Sequence, residues 1–264
     1  MFKIKICGIT NVEDALVATG AGADAIGINF CQQSPRCVTS DQAADIARVL
    51  MDQRASKQWN GWVVGVYVDA DFEVLRSTAA ATGATNWQLH GNEPPELIER
   101  LRGILTVPPN CERDFPVLWN RLNDPEGLIA KSFLAIKAFR CQNSSLNEVD
   151  RYLTACQQPS RYPSAVLLDA HQEGAAGGTG KSLDWNSVRD QRGLVRGLPL
   201  ILAGGLTPEN VAEAIATVQP DAVDVASGVE SAPGKKDLGK IRAFIAAANE
   251  AFSKLAPAKS PVKK

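Results

Sequence analysis

The chain lacks any run of 18 apolar residues, the length a membrane-crossing helix needs. Its start, Met1-Phe2-Lys3-Ile4-Lys5-Ile6-Cys7, alternates charge with apolar side chains, where a signal peptide would carry a long apolar stretch. Both absences predict a protein that is neither membrane-bound nor exported. Charge of one sign is also missing: the formal net charge is −1, and no stretch of the folded region concentrates Lys and Arg. The electrostatic footprint of a nucleic-acid binder is therefore absent, and a small molecule is the expected partner. Six cysteines, Cys7, Cys31, Cys37, Cys111, Cys141 and Cys156, form no CxxC pair and no Cys/His cluster of metal-ligand spacing. They fit a reduced, cytoplasmic compartment, with no metal site expected.

With 264 residues, 45% hydrophobic and 22% charged, the chain can bury one large core. Short Val/Ile/Leu/Ala-rich runs recur every few tens of residues, separated mostly by amphipathic or Ala-rich stretches, which is βα repetition and implies a parallel sheet. Strands are predicted near 3–7, 24–29, 62–68, 85–90, 133–139, 164–169, 199–203 and 222–226. Eight of them favour a closed (βα)8 barrel, a TIM barrel, over an open doubly wound sheet. Thr10 with Glu13 and Thr39 with Gln42 have capping-box spacing, and Thr207-Pro208 predicts an N-cap followed by an N1 proline. The barrel domain is expected to fill residues 1–255. Residues 104–132, with their prolines and Trp119, are expected to be an insertion or long loop, and 256–264 a frayed basic tail.

Inward side chains alternate along a barrel strand, and catalytic groups gather at the strands' C-terminal ends. With Ile4 and Ile6 facing helices, Lys3, Lys5 and Cys7 point to the axis, and Cys7 ends the strand. A neighbouring ammonium is expected to lower the thiol pKa and supply a base, although a small buried hydrophobe is the commoner fate of a lone cysteine. The apolar run Ala165-Val166-Leu167-Leu168-Asp169 ends in a carboxylate. A general acid and a loop-ordering aspartate fit that position equally. Asp224, between Val223 and Val225, is expected to enter the barrel and to need a partner there, with Lys5 the candidate. Gln88 and His90, the latter one of only two histidines, share a face at the end of the fourth strand.

Three glycine-bearing turns, Gly177-Gly178-Thr179-Gly180, Gly204-Gly205 and Ser227-Gly228, offer backbone N–H groups to an anion, as the turns after strands seven and eight of many barrels do. Each is also what a tight βα turn needs on its own account. Ser34-Pro35-Arg36 follows the second strand, in a rim loop where a guanidinium can clamp a carboxylate or simply be solvated.

Together these segments resemble the phosphoribosylanthranilate isomerase family, in its order and over almost the whole chain. The resemblance is carried by Lys5-Ile6-Cys7-Gly8-Ile9-Thr10, Gly27-Ile28-Asn29-Phe30 with Ser34-Pro35-Arg36, Val64-Gly65-Val66-Tyr67-Val68 and Gln88-Leu89-His90-Gly91. It continues in Leu167-Leu168-Asp169, Gly177-Gly178-Thr179-Gly180 with Asp184-Trp185, Leu202-Ala203-Gly204-Gly205-Leu206 and Val223-Asp224-Val225-Ala226-Ser227-Gly228-Val229-Glu230. It implies a cofactor-free Amadori rearrangement of N-(5′-phosphoribosyl)anthranilate to 1-(2-carboxyphenylamino)-1-deoxyribulose 5-phosphate, a step of tryptophan biosynthesis, by a monomer or homodimer. By resemblance Asp169 is the general acid, Cys7 the base and Arg36 the clamp on the anthranilate carboxylate. The same resemblance puts the phosphate against Gly178, Thr179, Gly204, Gly205, Ser227 and Gly228, with Lys5, His90 and Asp224 as further substrate contacts. Other phosphate-binding barrels, such as ribulose-phosphate epimerase or indole-glycerol-phosphate synthase, share the glycine turns but not the set Cys7, Arg36 and Asp169. A non-catalytic phosphosugar-binding protein would keep those turns and could lose the acid and the base.

Overall fold

A computed structural model describes residues 1–82, 86–104, 134–141, 145–169 and 184–255. Eight parallel strands close in sequence order into a barrel: β1 (Ile4–Cys7), β2 (Ala25–Asn29), β3 (Trp62–Tyr67), β4 (Asn86–Leu89), β5 (Leu134–Arg140), β6 (Ala165–Asp169), β7 (Leu200–Ala203) and β8 (Ala222–Val225). Every predicted strand is present with ends within a residue of expectation, because each buried run is both apolar and bounded by polar or glycine residues. Among the described residues the helices are α1 (Val12–Gly20), α2 (Ser40–Ala55), α3 (Phe72–Thr82), α4 (Pro95–Ile104), α5 (Asn147–Ala155), α6 (Trp185–Asp190), α7 (Val211–Val218) and α8 (Leu238–Lys254). A small antiparallel hairpin, β9 (Glu230–Ala232) with β10 (Lys235–Lys236), follows β8. No described helix is long and apolar enough to cross a membrane.

Alternation along the strands sorts the core into two layers. Ala25, Val64, Ile136, Ala138, Leu167, Ile201 and Ala222 fill the barrel, whereas Ile4, Ile6, Ile26, Ile28, Val166, Leu168, Leu200, Leu202 and Val223 face the helices. Each Val, Leu or Ile side chain among them, fully buried, contributes about 1.5–3 kcal/mol. At the N-terminal end of the barrel Asp24 Oδ2 accepts from the backbone N–H groups of Lys3 and Ile4 at 3.0 and 2.9 Å, which pins the start of β1 beside β2.

Three local expectations are corrected. Helix α1 is capped by Asn11, whose side chain accepts from Asp14 N at 2.8 Å, while Thr10 Oγ1 donates instead to Gly234 O at 2.7 Å. Thr207 caps a turn ahead of α7 and not the helix itself, which begins at Val211 after Asn210. Lys3 precedes β1, is exposed, and lays its ammonium over the Phe252 ring of α8 at 5.6 Å, so it does not enter the barrel. The capping box of Thr39 with Gln42 forms as expected. Of the insertion expected at 104–132 only Ile104, the end of α4, is described, and the rest of it and the tail at 256–264 lie outside the described residues.

Candidate active site

The C-terminal mouth of the barrel gathers most of the singled-out residues. Cys7 ends β1 and pairs in register with Gly27 of β2, while Lys5, one inward position below, pairs with Asp224 of β8. The Lys5 ammonium, wholly buried, lies 3.0 Å from each carboxylate oxygen of Asp224. Lys5 and Asp224 were each expected to point inward, with Lys5 the candidate partner, and the parallel register of β1 and β8 brings them together as one ion pair. Gly27 leaves the space for it: a Cβ there would stand 2.7 Å from Cys7 Sγ and 3.0 Å from Lys5 Nζ, so ammonium, carboxylate and thiol form one cluster.

The electrostatics of this cluster correct the sequence expectation. Burial and the Asp224 carboxylate push the Cys7 thiol above its ordinary value, even though Lys5 and Lys236 pull it down. The cation is present as expected, but in this environment it only moderates the shift. Burial pulls the Lys5 ammonium down, and Asp224 with Cys7 more than offsets that pull, so its pKa stands above the usual lysine value. Cys141, which follows β5 near the end of β6, is no rival base: burial holds its thiol up at about 12.

Asp169 ends β6, partly exposed, with Oδ2 3.2 Å from His90 Nε2 beyond β4. That contact falls short of hydrogen-bond alignment, and the other ring nitrogen, Nδ1, lies 3.4 Å from Gln88 Nε2. Gln88 and His90 stand together at the end of β4 as expected, and the structure adds Asp169 beside them. The segment after β4 is held from outside the barrel. Lys137 Nζ donates to Glu93 Oε2 at 3.1 Å and to the carbonyls of Gly91, Ala138 and Leu89 at 2.6, 3.3 and 3.4 Å. Glu93 in turn accepts from the backbone N–H groups of Asp69 and Gly91.

Arg36 reaches the same mouth from the loop after β2. Its neighbour Gly8 has φ +72°, and a Cβ there would run into the Arg36 Cδ, so the chain needs glycine both for conformation and for room. The guanidinium does clamp a carboxylate, that of Glu230: Nε to Oε1 and Nη2 to Oε2, both at 2.7 Å. Lys236 Nζ binds the same Oε1 at 2.9 Å.

Of the anion-binding candidates, Gly204 and Gly205 have φ values of +80° and +65°, which aim successive turn amides in a way that side-chain-bearing residues rarely permit. Gly228 is pressed against the Leu206 carbonyl, where a Cβ would collide, so the turns after β7 and β8 lie side by side. Ser227 opens the short 3-10 turn Ser227–Val229. Gly178 and Thr179 fall outside the described residues. Among the described residues no three His, Cys, Asp or Glu side chains come together as metal ligands would.

The family model for N-(5′-phosphoribosyl)anthranilate (PRA) isomerase matches residues 4–112 and 123–247. The chain belongs to the N-(5′-phosphoribosyl)anthranilate isomerase family. A member from Pelobacter propionicus is 39% identical over 254 residues, covering 96% of this chain and 98% of that protein. One from Geobacter sulfurreducens is 40% identical over 246 residues, covering 93% and 97%. The solved phosphoribosyl anthranilate isomerase of Thermotoga maritima superposes with a TM-score of 0.69 at 34% identity, covering 95% of this chain and all of that one. An isomerase structure in complex with reduced 1-(o-carboxyphenylamino)-1-deoxyribulose 5-phosphate superposes with a TM-score of 0.66 at 32% identity, covering 95% and 100%.

Within this isomerase frame, sequence reasoning left Glu230, Lys236, Glu93 and Lys137 without a role. Lys137 was detectable as a lone charge in the apolar strand Leu134-Ala135-Ile136-Lys137-Ala138-Phe139, on the helix-facing parity with Ala135. Glu230 was quoted in a motif, but nothing local ties it to Arg36, 194 residues earlier.

Proposed function

We propose that this chain catalyses the Amadori rearrangement of N-(5′-phosphoribosyl)anthranilate to 1-(2-carboxyphenylamino)-1-deoxyribulose 5-phosphate, with Asp169 as general acid and Cys7 as general base. The observation that carries the reading is the convergence of a carboxyl and a thiol, from β6 and β1, on the mouth of one barrel whose matched family performs this reaction. Asp169 gives a proton to the furanose ring oxygen as the C1–O bond breaks, leaving a Schiff base between C1 and the anthranilate nitrogen. Cys7 then takes the C2 proton, and the electron pair of that C–H bond moves toward the nitrogen to give an enamine, which tautomerises to the 2-ketone. A buried thiol has a smaller ionised fraction at neutral pH, but its thiolate is the stronger base once formed, and Brønsted behaviour trades one against the other.

Arg36 holds the anthranilate carboxylate, and the amides of Gly178, Thr179, Gly204, Gly205, Ser227 and Gly228 hold the phosphate. His90 contacts the substrate beside Asp169, and Lys5 and Asp224 contact it from beneath Cys7. In this reading the barrel, residues 1–255, is a single cytoplasmic domain working as a monomer or homodimer, and residues 104–132 and 256–264 take no part in the chemistry.

Cys7→Ser keeps size but replaces the thiol by a hydroxyl that scarcely ionises, so kcat should fall by roughly 10²–10⁴-fold, the usual worth of a general base. Asp169→Asn should cost at least as much. Turnover of freshly made substrate is the measurement, with circular dichroism as the check on folding. Both variants should bind the reduced product analogue with near-parental affinity. Parental turnover in folded Cys7→Ser removes the base assignment.

A further inference from the structure

The hairpin β9–β10 lies at the rim of the barrel mouth and is tied down on several sides. Thr10 Oγ1 donates to Gly234 O at 2.7 Å, and Lys236 N donates to Asp14 Oδ2 at 3.1 Å. A Cβ on Gly234 would lie 3.1 Å from Pro35 O, so the hairpin also touches the Arg36 loop. Two buried side chains face one another within it. Glu230 receives the Arg36 fork on both oxygens, and Lys236 Nζ bridges Glu230 Oε1 at 2.9 Å to the carbonyl of Ala226 at 3.0 Å. Ala226 immediately precedes the Ser227-Gly228 turn.

The charges do not cancel: two cations meet one carboxylate, and the surplus sits on Arg36, whose side chain is 21% exposed against 4% for Glu230 and 1% for Lys236. A guanidinium has five N–H donors in one plane. Glu230 occupies Nε and one Nη2 proton, and among the described residues Nη1 has no partner, so the opposite edge is a second fork free for another carboxylate. A buried ion pair is a poor device for stability alone, because its desolvation cost offsets most of the attraction. It is a good device for fixing direction, since a bidentate pair sets the orientation of both planes.

We infer that Glu230 is a positioning residue which aims the free edge of Arg36 at the substrate carboxylate, and that Lys236 couples this aim to the turn after β8, setting the span between the carboxylate and phosphate subsites. The inference rests on the reading of Arg36 as the carboxylate clamp.

Glu230→Gln keeps the side-chain shape but replaces one acceptor oxygen by an amide donor, so the fork cannot close. The KM for N-(5′-phosphoribosyl)anthranilate should rise about 10–100-fold, the penalty of a misaimed binding group. Inhibition by inorganic phosphate, and turnover of the analogue N-(5′-phosphoribosyl)aniline, which lacks the carboxylate, should match the parent. Equal losses toward substrate, phosphate and analogue would reduce Glu230 to a structural role and overturn the inference. An unchanged or lowered KM would overturn it too, the latter by making Glu230 a competitor for Arg36. Arg36→Ala separates the two layers of the argument. If it impairs the carboxylated substrate and the aniline analogue equally, the clamp reading falls and the inference with it. If it impairs the carboxylated substrate selectively while Glu230→Gln does not, only the inference falls.

Discussion

Two buried lysines, Lys5 inside the barrel and Lys137 outside it, are each paired with one carboxylate, yet they are built to different ends. Lys137 has four acceptors for three protons: Glu93 and the carbonyls of Gly91, Ala138 and Leu89. Lys5 has the two oxygens of Asp224 and, next to it, the Cys7 thiol. Burial leaves Lys137 below the ordinary lysine value, with Glu93 offsetting only part of the shift, whereas Asp224 and Cys7 carry Lys5 above it. The saturated lysine locks a loop. The other lysine shares its protons between a carboxylate and a thiol that can change its own charge.

Deleting either cation should produce the largest effect. Lys5→Met and Lys137→Met each strand a buried carboxylate, and each should cost about 3–5 kcal/mol of unfolding free energy, read from urea denaturation midpoints. A loss well under 1 kcal/mol in either variant would mean that its carboxylate reaches water, and the comparison between two dry pairs would break.

The difference between the pairs also marks how far the sequence could be read. Strand periodicity and parity were enough to point Lys5, Cys7 and Asp224 to the barrel axis, because each is a polar residue on the inward register of an apolar run, whereas Asp169 was placed only as the carboxylate that ends its run. The family motifs then supplied roles. What stayed hidden depends on contacts between distant segments: Glu230 with Arg36, Glu93 with Lys137, and the room that Gly27 leaves beside Cys7. The direction of the thiol shift was misjudged for the same reason, since a sequence shows the neighbouring ammonium but not the degree of burial. Thr10 was misassigned because its hydroxyl goes to a hairpin more than two hundred residues away.

Removing both members of each pair should sharpen the contrast at a smaller scale. Among the described residues only Lys5 donates to the Asp224 carboxylate, so Lys5→Met/Asp224→Leu leaves no orphaned group and should return to within about 1 kcal/mol of the parent. Glu93 also serves the N–H groups of Asp69 and Gly91. Lys137→Met/Glu93→Leu should therefore stay destabilised by at least one unsatisfied donor, about 1–3 kcal/mol. Equal recovery in both double variants would show that the backbone bonds to Glu93 carry no weight.

The subtlest difference concerns titration. If the Cys7 thiolate is the base, kcat/KM rises with pH through the thiol pKa of the free enzyme, which burial and Asp224 hold above the ordinary value. Lys5 opposes both, favouring the thiolate. Lys5→Met removes the group that lowers the thiol pKa and keeps the Asp224 carboxylate that raises it. The sign follows: the rise in kcat/KM should move to higher pH in Lys5→Met. Lys137→Met should leave it in place, because the largest influences on the thiol are burial, Asp224, Lys5 and Lys236, none of which involves Lys137. Profiles measured on the folded fraction of each variant across the neutral and alkaline range test this. A shift to lower pH in Lys5→Met, or the same shift in both variants, would detach Lys5 from the thiol and leave the two lysines with the same structural duty.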